Sequence, residues 1–225
     1  YYRGNSTIDT QQVVPAANTL TVDRLSLTDQ KALITNVDAS TRFVDDTHDN
    51  RIVFRDTNTQ NFLKGAHDVN RLNAAYYEYK YKPADAWARV GLQPGNAGGV
   101  LSRFEGAWLG YGLTPALRLN VVGGEPVDYG VSLDSKRRFY GTSLEVGPLL
   151  QHWSGNVYFI RQTIDTITDR EAAGIELRYF APQGSLATMV DYDTVFGRIN
   201  IATLQGNWLA PSKTAFNVLL DYRMT

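Results

Sequence analysis

The 225-residue chain has no cysteine and only three histidines, so neither a disulfide framework nor a thiolate metal site is available to it. It contains no run of ~18 apolar residues, which excludes a transmembrane helix. A formal net charge of −1 gives no electrostatic reason to expect nucleic acid as a partner. Helix signals are nearly missing from Asp68 onward. These absences leave room for one large β domain or two small ones, built from a chain that is 43% hydrophobic and 12% aromatic.

What is present is alternation. In the stretch GIELRYFAPQGSLATMVDYD, Ile175, Leu177 and Tyr179 fall on one face and Glu176 and Arg178 on the other. After a Pro-Gly turn, Leu186, Val190 and Tyr192 oppose Ala187, Met189, Asp191 and Asp193. Successive strand side chains point to opposite faces, so the stretch reads as a hairpin with one greasy and one charged side. Strands read in the same way at 69–81, 86–93, 102–113, 116–124, 138–147, 155–163, 172–180, 185–193, 199–209 and 214–223. The joints KPAD, LTPA, PLLQHWS, FAPQGS and LAPSK are short. The alternate joints QPGNAGGVLS, EPVDYGVSLDSKRR and IDTITDRE are longer, with DTVFGR the shortest of that set. This describes an all-β, up-and-down antiparallel meander.

Sorting of short and long joints to alternate ends, with strands of about ten residues, is the pattern of a transmembrane β-barrel. Soluble up-and-down barrels usually have about eight strands, fewer than are read here. In that reading the greasy face meets lipid and the charged face lines the lumen. The predicted lumen-facing charges are Glu78, Lys80, Arg89, Arg118, Glu145, Glu176, Arg178, Asp191, Asp193, Asp221 and Arg223. Charges of both signs need water or partners, and no ring of one sign predicts strong ion selectivity. Tyr77, Tyr79, Tyr81, Trp153, Tyr179, Phe180 and Trp208 sit beside short joints, as a membrane-interface girdle would place them. The β-propensity of aromatics is the plainer reading. Two strands are irregular: Arg103 and Glu105 share a face with Ala107, Leu109 and Tyr111, and Arg161 shares one with Val157 and Phe159, which places these charges at the rim.

Residues 1–67 form a less regular part of the same domain as the 68–225 meander. YYRGNST reads as a strand, and PAANTLTVDRLSLTDQ as a loop or as a segment folded into or over the pore, with 9–29 as the stretch that would constrict the lumen of a conduit. KALITNVDASTRFV and RIVFRDTNTQNF read as two strands joined by DDTHDN, for about thirteen strands in all. Bacterial single-chain barrels have an even strand number, so the chain reads as a portion of a larger barrel that continues past Thr225.

LRYFAPQGSLATMVDYD and the following INIATLQGNWLAPSKTAFNVLLDYR resemble the barrel region of proteobacterial outer-membrane proteins, in particular those in which a barrel follows a periplasmic tetratricopeptide-type region. The resemblance covers roughly 68–225 and implies a Gram-negative outer-membrane location in contact with the lipid bilayer. It transfers no site residues. Two functions compete: a channel, porin-like or exporting polysaccharide, that passes hydrophilic solute; or a structural anchor with a plugged lumen that ties a periplasmic or surface assembly to the membrane. A soluble all-β binding protein is a third. Catalysis is not expected, since His152 and Ser154 of HWS lie in a turn and do not form a base–nucleophile pair. No cofactor or metal is expected either: DDTHDN lacks the glycine and distal glutamate of a calcium loop and reads as a polar turn. The basic run SKRR reads as solvated loop, and secondarily as a contact for lipopolysaccharide phosphates.

Overall fold

The computed structural model describes the backbone of residues 2–14, 19–95, 98–100, 102–127 and 136–224; side chains are described at residues 3–4 and, within those ranges, from Gln30 onward. Its thirteen strands are β1 (Tyr2–Val14), β2 (Thr19–Val44), β3 (His48–Asn61), β4 (Val69–Tyr81), β5 (Ala86–Gln93), β6 (Phe104–Thr114), β7 (Leu117–Pro126), β8 (Arg137–Leu149), β9 (Trp153–Ile164), β10 (Ile167–Ala181), β11 (Gly184–Asp193), β12 (Arg198–Leu209) and β13 (Ala215–Arg223). They form one all-antiparallel sheet in chain order, an up-and-down meander, with, among the described residues, one 3-10 turn at Lys82–Ala84. By compactness the chain divides into Tyr1–Ala39 with Arg55–Asn73, and Ser40–Phe54 with Ala74–Thr225.

In the first unit, β1 pairs with β2 from Tyr2 opposite Ala32 to Val14 opposite Thr19, with a register shift after Gly4. This corrects the reading of PAANTLTVDRLSLTDQ as a loop over its described part, Thr19–Gln30. From Thr19 the backbone is already paired strand, and β2 runs unbroken for 26 residues. Residues 15–18 lie outside the described residues. The strand was hidden because its apolar phase flips: Leu20 and Val22 share one parity, Leu25 and Leu27 the other. Further along, Arg55 donates to Asp38 (3.0 Å) and Thr57 to Asn36 (2.9 Å) across β2 and β3.

In the second unit the strand ends fall close to the alternation pattern. One joint differs. IDTITDRE is no loop: β9 ends at Ile164, β10 begins at Ile167, and only Asp165 and Thr166 turn, with Asp165 at φ 52. A two-residue hairpin needs such a left-handed residue, and Asp tolerates it. The basic run also moves, since Arg137 and Arg138 already belong to β8.

The two faces of this sheet are unlike. Tyr79, Ala88, Leu109, Val121, Thr142, Phe159, Ala173, Tyr192 and Ile199 stand opposite one another in one continuous row. Leu109, Val121, Tyr192 and Ile199 in this row are exposed. The reverse face is covered through its middle, while Lys80, Glu145, Arg178, Asp221 and Arg223 on it stay open to solvent. It carries an apolar cluster of Val100, Phe104, Trp108, Val122, Phe139, Ile160 and Ala172, in which Phe104 meets Phe139 edge-on at 5.0 Å. Beside that cluster lie the buried polar residues Gln93, Asn120, Ser143, Asn156, Glu176, Asp191 and Asp193. A water-soluble sheet covers its apolar face; here the more covered face is the one that mixes an apolar cluster with the charged parity, and the uniformly apolar parity is exposed.

The turn between β2 and β3 is held by Asp45, whose Oδ1 accepts the N–H groups of His48 (2.6 Å) and Thr47 (2.7 Å) and the Thr47 hydroxyl (3.0 Å). These bonds, that from His48 first, lower its carboxyl to about 2. A depressed carboxyl contributes fully above the ordinary carboxylate range of about 4 and loses its contribution as pH falls toward the folded value. An NMR titration of the Asp45 carboxyl in the detergent-solubilised chain is expected to show a midpoint near that lowered value. A midpoint at the ordinary carboxylate value would mean that the turn bonds do not persist.

Candidate functional site

The strand register places ten of the eleven charges read as lumen-facing, together with their neighbours, in rows across the covered face. One row runs Arg118, Glu145, Asn156, Glu176, Met189, Thr203, Asp221. The next runs Lys80, Trp87, Gly110, Asn120, Ser143, Tyr158, Gly174, Asp191, Ile201, Arg223. A third holds Glu78, Arg89, Trp108, Val122, Gly141, Ile160, Ala172 and Asp193. Arg178 lies on the same face, one row beyond Glu176, opposite Ser154 and Ala187.

These charges are paired. Arg89 donates to Glu78, Arg118 to Asp85 (2.7 Å) and Arg178 to Glu176 (3.2 Å), while Asp221 and Arg223 meet within β13 (3.1 Å). The Arg118 bond holds the Asp85 carboxyl, in the β4–β5 turn, below its usual range. Asp193 serves the backbone instead, accepting the N–H groups of Val195 (2.8 Å) and Phe196 (3.0 Å) in the next turn. The His152 Nδ1 lies 3.0 Å from the Phe180 carbonyl, and Ser154 faces the covered side opposite Arg178.

The sequence reading missed the element that organises this face. The described part of QPGNAGGVLS folds onto the covered side of the sheet. Gly98 donates its N–H to Glu176 Oε1 (3.2 Å), Arg170 Nη1 donates to the Gly99 carbonyl (2.9 Å), and Val100 enters the apolar cluster. Gly98 and Gly99 have φ of 62 and 76, and a Cβ on Gly99 would stand 2.4 Å from the Tyr158 ring. Glycine is therefore required both for the turn and for the close approach. At the centre, Asp191, with no exposed surface, accepts hydrogen bonds from Arg170 Nη2 (2.7 Å), the Tyr158 hydroxyl (2.8 Å) and Asn200 (3.1 Å). Tyr158 reaches it by lying across Gly174, where a Cβ would stand 2.3 Å from the ring. Arg170 escaped notice because it fell in the supposed loop, and Tyr158 because only its apolar neighbours were weighed. The paired glycines at 98 and 99 were the one available signal.

Of the aromatics read as a girdle, Tyr77, Tyr79, Tyr81, Trp153, Tyr179 and Trp208 share the apolar face, with Trp153 and Tyr179 in contact at 5.0 Å between ring centroids. Phe180 departs from the set. It pairs with Ser185 on the parity of Arg178, at the end of β10, because the β10 alternation puts it one residue past Tyr179. At the opposite strand ends the apolar face turns charged, with Arg161 near Glu171 (3.6 Å) and Arg138 near Glu125 (3.8 Å). Along β10, Tyr179 to Glu171 spans about 26 Å at the usual strand rise.

No protein-family model matches the chain, and no curated protein matches it in sequence.

Two substitutions test the clamp. Asp191→Ala leaves Arg170 and Tyr158 without their shared acceptor and is expected to destabilise the fold by about 3–5 kcal/mol, the range for breaking a buried pair, measured as a shift in urea midpoint. Gly174→Ala is expected to displace Tyr158 and cost about 1–3 kcal/mol. In both variants amide exchange at residues 98–100 should rise before global unfolding. Unchanged exchange there would show that Asp191 does not hold the segment.

Proposed function

We propose that the chain is the strand meander of a bacterial outer-membrane β-barrel, forming a channel for hydrophilic solutes whose lumen is narrowed by the segment around Gly98–Val100. The observation that carries this reading is the inverted polarity of the sheet. Val90, Leu109, Val121, Val157 and Ile175 are exposed, while Asn120, Asp191 and Gln93 are covered. Contiguous exposed apolar surface on this scale marks contact with another apolar phase. A belt of about 25 Å, bounded by aromatics at one margin and charges at the other, fits lipid. The mixed-sign, water-compatible face is then the lumen, and the resemblance noted in the sequence points to the outer membrane of a Gram-negative cell. The basic end of β8, with Lys136 and Arg138 largely exposed, would lie at the margin that meets lipopolysaccharide phosphates.

A second reading has its own support. The inward segment and the apolar cluster fill part of the polar face, as a plugged barrel anchoring a periplasmic or surface assembly would require. Polysaccharide export and passage of small solutes are both open to the conduit.

The two readings separate in a planar bilayer. The wild-type chain, full length and refolded, is expected to give small, weakly selective conductance steps, and Arg170→Ala with Asp191→Ala is expected to enlarge them several-fold. Silence from inserted protein in both forms would favour the anchor. Failure to insert would remove the membrane reading altogether.

A further inference from the structure

On the charged parity of the second unit, Phe104, Trp108, Val122, Phe139 and Ile160 are buried. At the short-joint end of β10–β13 that pattern breaks. Phe180, Leu209 and Leu219 share this parity, paired across the sheet with Ser185, Ala215 and Gln205, yet they are 77%, 52% and 70% exposed. Large apolar side chains grouped on a face that also carries open charges mark a contact with something outside the chain. The patch is concave. Ser185 and Ala187 are small, and Arg178, Phe180, Gln205 and Leu219 rise around them, bounding a hollow of about 620 Å³. That is the size of a small-molecule site. Those four taller side chains are all exposed, so a solute in the hollow reaches them.

Among the described residues no Asp or Glu lines this hollow. The charge it presents is that of Arg178. Arg178 donates to Glu176 through Nη2, but the two partners are unequally placed. The arginine side chain is 60% exposed and the glutamate 10%, and the second Glu176 oxygen accepts the Gly98 N–H. The positive end of the pair therefore meets the hollow while the negative end lies covered, and Nε and Nη1 remain as donors. A cation would be repelled there. A plain polyol would leave Phe180 and Leu219 in water, and a neutral hydrocarbon would give the guanidinium no acceptor. A carboxylate with an apolar tail answers both needs. Arg178 and Phe180 stand two residues apart on one strand face, about 7 Å at the usual rise. A tail of a few carbons ending in a single ring spans that distance.

We propose that this hollow binds small arylalkyl carboxylates, the carboxylate accepting from Arg178 and the ring lying over Ala187 between Phe180 and Leu219. As a site on the lumen face it rests on the conduit reading. The test titrates hydrocinnamate, hydrocinnamyl alcohol and acetate, calorimetrically and at neutral pH, into the full chain refolded in detergent, with titration into detergent alone subtracted. The same preparation is recorded in a bilayer. Hydrocinnamate is expected to bind saturably, with the alcohol and acetate each at least about tenfold weaker, and Arg178→Gln and Phe180→Ser each lowering its affinity by about tenfold. No saturable hydrocinnamate binding by the wild-type chain, or equal binding of either comparison compound, overturns the site whatever the variants do. Protein that conducts but does not bind removes the site and keeps the conduit. Protein that binds but stays silent once inserted removes the conduit and keeps the site.

Discussion

The Asp191 carboxylate is the point on which the covered face depends. It has no exposed surface, so it is tolerable only because Arg170, Tyr158 and Asn200 all donate to it. Those donors come from β10, β9 and the edge of β12, and Asp191 itself from β11. Arg170 uses its other terminal nitrogen on Gly99. One carboxylate thus fixes four strands and, through a single guanidinium, a segment more than sixty residues earlier in the chain. Arginine suits this task because its planar fork serves two acceptors in fixed directions.

Around that clamp the covered face is graded along the strands. Phe139, Ile160, Ala172 and Val100 pack beside Phe104 and Trp108, where the segment enters. Tyr158, Ser143 and Asp191 follow one row on, then Asn156, Glu145 and Glu176, then Arg178. Gly99 meets Tyr158, and Gly98 lies against Ser143 and Asn156, so the segment descends through the rows in order. The exposed face has no such grading, only an apolar belt with paired charges at one margin. A fully exposed Val, Leu, Ile or Phe forgoes about 1.5–3 kcal/mol of transfer free energy in water, and the residues of this belt, roughly half exposed, forgo a corresponding part of it. In the proposed outer-membrane setting, lipid would remove that cost for the whole belt at once.

Much of this was legible because a period of two is hard to disguise. The ends of β4 and β5 coincide with the alternation in VNRLNAAYYEYKY and AWARVGLQ, and the polar parity of Arg118, Glu145 and Glu176 follows from the same count. What failed did so where local signals had two meanings. Thr166 and Asp169 made IDTITDRE look like a loop, although one left-handed Asp suffices to turn the chain. The phase flip after Val22 masked half of β2. The glycines of QPGNAGGVLS announce a loop but not its destination, because that is decided by Arg170, Tyr158 and Glu176, more than fifty residues away. Likewise, a strand pattern names the faces of a sheet without saying which phase each will meet.

The covered face is mixed and not simply filled. Near the segment's entry, Val122 on β7, Ile160 on β9 and Ala172 on β10 share one row with Trp108 and pack as an apolar cluster. Polar groups are interleaved with it: Gln93 and Asn120 are buried beside the cluster, and Asp191 is buried one row on. Replacing a buried polar pair by apolar groups of the same shape is often close to neutral, so the polar network adds little stability that apolar packing could not. What it adds is position: Arg170 and Glu176 hold Gly99 and Gly98 at fixed points on the sheet, which apolar contacts alone would leave free to slide.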